Sequence, residues 1–264
     1  MKSSRSPFRK LYDFVVSLAM YGYFSVGFLL LFVWIYLFFH LFARNREIWF
    51  QRITHGFYRG FFGLGRLLMP WVELRVGPDV RSIRSSVIVS NHLSYLDPLL
   101  LISLFCRHKT IVKNSFFHVP FFSWVLKTSG YMPSDASGKE TPILIHNLDT
   151  MQDFLASGGN LFIFPEGTRS LDGTLAPFNK GGFTIAKKNR APIHVIRIRN
   201  SNRLLHPKRF AFNATEKMVI TIEQIGTISR ERLEQAGSLL PIIEEVRSLY
   251  HLHGSEDEIL EDSA

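Results

Sequence analysis

Residues 86–98 read Ser-Val-Ile-Val-Ser-Asn-His-Leu-Ser-Tyr-Leu-Asp-Pro. The first five have the length and β-branched content of a buried strand, and a polar loop follows. Asp97-Pro98 is a helix-start pattern, with Asp as N-cap and Pro as the first helical residue. Strand, polar loop and helix together form the repeating unit of a layered α/β protein, and the alternation continues outward. Strands are predicted at 86–90, 110–113, 161–164, 193–199 and 218–223. Helices are predicted at 98–105, 121–129, 141–156, 178–188 and 230–250, with a kink expected at Pro241. The order predicts an α/β fold, a mostly parallel sheet flanked by helices.

Two loops carry side chains suited to chemistry. In the first, His92 sits past the C-terminal end of a strand, where open α/β sheets bind ligands. Asp97, five residues on, is placed to hold one imidazole nitrogen and leave the other to take a proton from a substrate hydroxyl. By itself this spacing is a weak signal, because a capping Asp beside a loop histidine arises often by chance. The second loop reads Phe164-Pro165-Glu166-Gly167-Thr168-Arg169-Ser170 and leads to Asn179-Lys180-Gly181-Gly182. A strand running into a Gly-containing turn with Arg, then Lys and two glycines before a helix, predicts an anion cradle. A surface turn with a Glu166–Arg169 ion pair is the plainer alternative.

Taken together and in this order, NHLSYLD and FPEGTRS resemble the glycerolipid (lysophospholipid) acyltransferase family. The likeness spans about residues 85–200, with Lys113, Pro120 and Gly130 at softer matching positions and APIHVI (191–196) similar to the family's fourth block. The resemblance implies a membrane-bound O-acyltransferase. It would move a fatty acyl group from acyl-CoA or acyl-carrier protein to the hydroxyl of a lysophospholipid, 1-acylglycerol-3-phosphate first of all, giving phosphatidate. It further implies His92 as general base and Asp97 as its orienting partner. Glu166, Gly167, Thr168 and Arg169, with Lys113 and Lys180, would form the acceptor and phosphate site. No metal and no cofactor is implied, and the catalytic domain would work at the cytoplasmic face of the membrane. A hydroxyl at Ser94 offers an acyl-enzyme alternative to direct transfer, whereas Cys106 is expected to be a buried packing residue.

There are departures from the pattern. After Gly130 the family commonly has an Asp-Arg pair whose Arg reads the acceptor phosphate, whereas this chain has Asp135-Ala136. Loss of a charge-assisted contact of that kind points either to compensation by Lys139 or to another lysolipid head group. In the fourth block Val195 replaces an expected Pro. His194 is expected to be a strand residue with a satisfied hydrogen bond.

The ends differ from the middle. Residues 14–43 hold no Asp, Glu, Lys or Arg, and 25 of the 30 are apolar. Such a run is long enough to enter a bilayer, either as one tilted span over 26–43 or as a hairpin bent near Gly22 and Gly27. Four bases on each flank give the positive-inside rule no preferred end. The chain therefore divides into a membrane-anchoring segment (1–44), an amphipathic interfacial helix region (45–75), a catalytic domain (76–254) and an acidic tail (255–264).

The 264 residues carry a net charge of +9, and setting aside the tail's five carboxylates leaves +14 on residues 1–254. That excess predicts polyanionic partners, here membrane lipids and phosphorylated or acidic substrates. No helix-turn-helix, zinc or RNA-binding signature is present, so nucleic acid is not among the expected partners. A non-catalytic lipid-binding protein is the alternative from another functional class. A single cysteine excludes an internal disulfide framework.

Overall fold

The computed structural model describes residues 6–135, 138–171 and 174–261, with backbone alone over 253–261. Ser6 caps the first helix, its hydroxyl accepting the Arg9 N–H, and Pro7 fills the first helical position. From there the backbone stays helical to Phe42, through α1 (Pro7–Gly22), a wide π-helical segment (Tyr23–Phe32) and α2 (Val33–Phe42). This helix is long and apolar enough to cross a membrane. Asn45 caps α3 (Arg46–Leu68), which runs back along it. Tyr36 Oη and Thr54 Oγ1 share a hydrogen bond (2.7 Å), and the Tyr23 and Tyr12 hydroxyls donate to the carbonyls of Phe57 (2.9 Å) and Leu68 (2.7 Å). Gly60 permits that approach, since a Cβ there would lie 2.3 Å from the Tyr23 hydroxyl.

These contacts correct the hairpin alternative bent near Gly22 and Gly27. Gly22 keeps right-handed helical backbone and neither it nor Gly27 is a bend. The chain reverses at residues 43–45, and the second arm is α3, the segment set apart above as an interfacial helix.

Among the described residues, seven strands form one sheet. The elements that follow α3 are β1 (Val72–Val76), α4 (Pro78–Ser82), β2 (Ser86–Ser90), α5 (Leu96–Leu104), β3 (His108–Val112), α6 (Phe122–Thr128) and β4 (Met132–Pro133). Then come α7 (Thr141–Asp149), α8 (Met151–Ala156), β5 (Asn160–Ile163), α9 (Gly181–Lys188), β6 (Ile193–Arg199), α10 (Ser201–Leu204), β7 (Met218–Ile228), α11 (Arg230–Gln235) and α12 (Leu240–Glu261). The strand order is β1-β7-β6-β2-β5-β3-β4, parallel throughout except for the β6–β7 pair. β2 and β5 are buried along their whole length, which is why they read as unbroken apolar runs rather than alternating ones.

Other expectations shift locally. Asp97 is not an N-cap, because the helix begins at Leu96. The helix expected at 141–156 is two helices meeting at Thr150, and Pro241 starts α12 rather than kinking a longer helix. The expected boundary between residues 75 and 76 falls inside β1, which pairs with β7. Cys106 is exposed in the α5–β3 turn, not buried. The backbone of α12 stays helical to Glu261, into the stretch read as an acidic tail. Ala136 lies outside the described residues.

Candidate active site

Because β2 and β5 are parallel neighbours, in register from Ser86–Asn160 to Val89–Ile163, the loops that leave their C-terminal ends emerge side by side. The imidazole of His92 therefore stacks on the ring of Phe164, 4.2 Å between centroids and 24° between planes. His92 Nδ1 lies 3.0 Å from Asp97 Oδ2. That same oxygen accepts the backbone N–H groups of Leu93 (2.6 Å) and Ser94 (2.7 Å). The first turn of α5 thus turns its carboxylate back into the loop, and Asp97 is fully buried. With Oδ2 acting as acceptor for three donors, Nδ1 carries the imidazole hydrogen. The lone pair is then on Nε2, which has no hydrogen bond among the described residues.

Glu166 ties the two loops together. Its Oε1 accepts the His92 N–H (3.0 Å) and its Oε2 the Ala176 N–H (3.3 Å), while Ser170 N–H donates to the His92 carbonyl (2.8 Å). Burial pushes the Glu166 carboxyl above its ordinary pKa, and its two hydrogen bonds to backbone N–H groups oppose this. Its side chain faces inward, so it is not aimed at solvent as an open anion-cradle residue would be.

Gly167 takes a φ of +69°, the left-handed conformation that lets the chain reverse before Thr168. Gly167 and Thr168 are exposed on the outer side of this turn. Arg169 lays its guanidinium 3.5 Å above the Tyr95 ring, and its Nε is buried without a hydrogen-bond partner among the described residues. No Glu166–Arg169 ion pair forms. Lys180 occupies the N-cap position of α9, and Lys113 leaves the C-terminal end of β3; both side chains are exposed on the loop edge of the sheet.

Four further residues hold this arrangement without having stood out in the sequence. Asn91 makes two reciprocal bonds with the backbone of Ile198 in β6 (2.9 and 2.8 Å). Tyr250 of α12 donates toward the carbonyls of Val89 and Ile196. Phe164 and Tyr95 are ring platforms for His92 and Arg169. Only Asn91 carried a local signal, as the polar residue directly after an apolar strand. The Ser94 hydroxyl is buried and donates to the Leu205 carbonyl (2.7 Å), a structural bond that leaves it no access to a thioester. His194 bonds Gln224 on β7 (3.0 Å) and is a satisfied strand residue.

Residues 75–199, from the end of β1 to the end of β6, match the family model described as Acyltransferase. This part of the chain is an acyltransferase-family domain. Two relatives agree with it. A chloroplastic 1-acyl-sn-glycerol-3-phosphate acyltransferase of Brassica napus is 36% identical over 119 residues, covering 45% of this chain and 34% of that protein. The Saccharomyces cerevisiae protein of the same activity name is 30% identical over 172 residues, covering 64% and 56%. The chain thus spans from a third to just over half of the length of these relatives. The crystal structure of PlsC, a 1-acyl-sn-glycerophosphate acyltransferase from Thermotoga maritima, superposes with a TM-score of 0.67 at 22% identity, over 93% of this chain and 98% of that one. The likeness extends the shared fold beyond the acyltransferase domain to the N-terminal helices and the last strand.

Proposed function

We propose that the protein is a membrane-bound O-acyltransferase that esterifies a lysophospholipid with a fatty acyl group from acyl-CoA or acyl-carrier protein. The observation that carries this reading is the His92–Asp97 pair: an imidazole held by a buried carboxylate on one nitrogen, with the other open beside an arginine-bearing loop. In the reaction Nε2 takes the proton of the acceptor hydroxyl as its oxygen attacks the thioester carbonyl carbon. The tetrahedral oxyanion collapses, the C–S bond breaks, and the imidazolium returns its proton to the departing sulfur. The products are an ester and a free thiol, and His92 ends neutral. Asp97 and the Phe164 platform fix the ring, and Glu166 acts as a positioning residue that keeps the two loops in contact. Arg169, with Thr168, Lys113 and Lys180 nearby on the edge, would receive the acceptor's phosphate, which favours 1-acylglycerol-3-phosphate as acceptor and phosphatidate as product.

Attachment to one leaflet suits the N-terminal hairpin better than a span. Tyr12, Met20 and Tyr36 all pack against α3 or the domain. The opposite face of the same helix is exposed and apolar from Phe8 to Phe42, as suits a helix seated in one leaflet with protein along its other side.

The test is acyl transfer by purified protein in neutral detergent, with a panel of lysolipids that includes lysophosphatidate. His92→Ala should cut turnover by about 100-fold or more, the range for loss of a positioned base. Arg169→Ala should raise the KM for lysophosphatidate about tenfold and leave the donor KM in place, as expected for one charged hydrogen bond. Retained turnover in the His92 variant refutes the catalytic assignment. Preference for a lysolipid lacking a terminal phosphate would move the acceptor assignment to the other head groups that Ala136 suggests.

A further inference from the structure

One surface element between β6 and β7 has no part in the chemistry above. Residues 206–210, His-Pro-Lys-Arg-Phe, make a turn closed by the Arg209 N–H on the His206 carbonyl (2.9 Å) and the Lys208 N–H on His206 Nδ1 (3.1 Å). Phe210 is 77% exposed, yet it is held in place. Its ring stacks on Tyr21 of α1 at 4.3 Å and 14°, and the Tyr21 hydroxyl donates to its carbonyl (2.9 Å). Two residues on, Phe212 is buried, with its N–H bonded to Ser17 Oγ on α1 (2.8 Å). The turn is therefore mounted on the apolar helix. Spacings of four and three residues put Phe14, Leu18 and Tyr21 on one face of that helix, and Phe14 and Leu18 are exposed. Phe210 continues their apolar surface.

The charge around that ring is one-sided. From Ile193 to Asn213 there are five bases and no carboxylate. Arg199 is paired with Glu223 and Arg203 with Glu216, whereas Lys208 and Arg209 are exposed and make no ion pair among the described residues. The nearest carboxylate on α1, Asp13, is buried and accepts the Thr215 N–H. An exposed aromatic ring between an apolar helix face and two unpaired cations matches a bilayer boundary, with the ring at acyl-chain depth and the cations among phosphates.

We propose that the 206–210 turn is a docking element for the anionic surface of a lipid bilayer. This rests on the membrane reading above and gives it a second point of attachment. The turn also adjoins the catalytic loop. The Leu205 carbonyl holds the Ser94 hydroxyl, and the next residue of that loop, Tyr95, lies under the Arg169 guanidinium. Docking there would hold the His92 loop against the surface from which a lysolipid arrives.

The test compares the full chain with the double variant Lys208→Gln/Arg209→Gln and with Phe210→Ser. Sedimentation is measured with phosphatidylcholine vesicles made with or without phosphatidylglycerol. The bases that flank the apolar helix are the same in every variant, so the change in the ratio of the two partition coefficients from wild type isolates the charge of the turn. For the double variant that ratio should fall about 30-fold, from two bases near an anionic surface. Phe210→Ser should weaken binding to both vesicles about tenfold, from loss of a ring that enters the acyl-chain region. All variants should keep wild-type acyl transfer in neutral detergent micelles and wild-type melting. A double variant with an unchanged ratio overturns the docking proposal. Loss of its micellar activity overturns it as well and assigns the two bases to the acceptor instead. Absence of acyl transfer by the wild type would sink the enzymatic reading alone, since the vesicle ratio is read independently.

Discussion

Asp97 concentrates three donors on one oxygen, from Leu93, Ser94 and the His92 ring, while its other oxygen, Oδ1, is buried with no partner among the described residues. The asymmetry makes Asp97→Asn an informative change. If the amide oxygen keeps the three donors, the NH2 takes the Oδ1 position and becomes a buried, unpaired donor. That costs about 1–3 kcal/mol. If the amide flips, NH2 meets two backbone N–H groups and the loop opens. Either way the variant should unfold at lower urea concentration than wild type. Its acyl transfer should fall with a larger effect on kcat than on acceptor KM, because the carboxylate touches the ring and not the lipid. Unchanged kcat would remove Asp97 from the mechanism. The separation of His92 and Asp97 was legible in the chain, because five residues suffice for a loop to fold back on a helix start. The ring platforms were not, because Phe164 reaches His92 only through the pairing of β2 with β5.

At the scale of elements, the joint between α5, β3 and β4 is sealed by a buried histidine. His108 donates from Nδ1 to the Phe105 carbonyl (2.7 Å) and accepts the Tyr131 hydroxyl on Nε2 (2.6 Å). Burial drives its pKa down from 6.5 to about 3, so the native state holds a neutral ring that the unfolded chain would protonate. Between those values the unfolded state binds more protons, so stability is full above 6.5 and drains as pH falls toward 3. The loss is on the order of a few kcal/mol. His108→Gln, which keeps a donor and an acceptor without titrating, should flatten this part of the urea-midpoint curve against pH. A variant curve as steep as wild type between pH 6.5 and 4 would assign the acid sensitivity to other groups. Strand β1 shows the opposite side of legibility. Val-Glu-Leu-Arg-Val is charged and mostly exposed, as suits an edge strand, and it is a strand because β7, some 140 residues later, offers it a ladder.

For the whole molecule, the apolar helix is part of the folded body. Val16 and Met20 pack in the same cluster as Phe57, Phe61 and Ile198, and Tyr36 is buried with Phe50 and Val125. Deleting residues 1–43 would uncover that surface, each fully buried apolar side chain contributing about 1.5–3 kcal/mol. The shortened chain should aggregate or melt well below the full-length protein in detergent, as judged by size-exclusion profile and circular dichroism. A monodisperse truncated protein with wild-type melting would make the helix a detachable anchor and overturn its structural role.

The five strands from 86–90 to 218–223 with helices between them, the uncharged N-terminal run and the two chemistry-bearing loops were written in the sequence, because each depends on neighbours within a few residues: periodicity, caps and turn residues; β1 and β4 were not. The strand order that sets the His92 loop against the Arg169 loop was decided only by tertiary structure. So were the reversal of the apolar helix at residues 43–45 and the seat of Phe210 on Tyr21. These depend on which distant surfaces bury each other, and that choice is a property of the whole chain rather than of any segment in it.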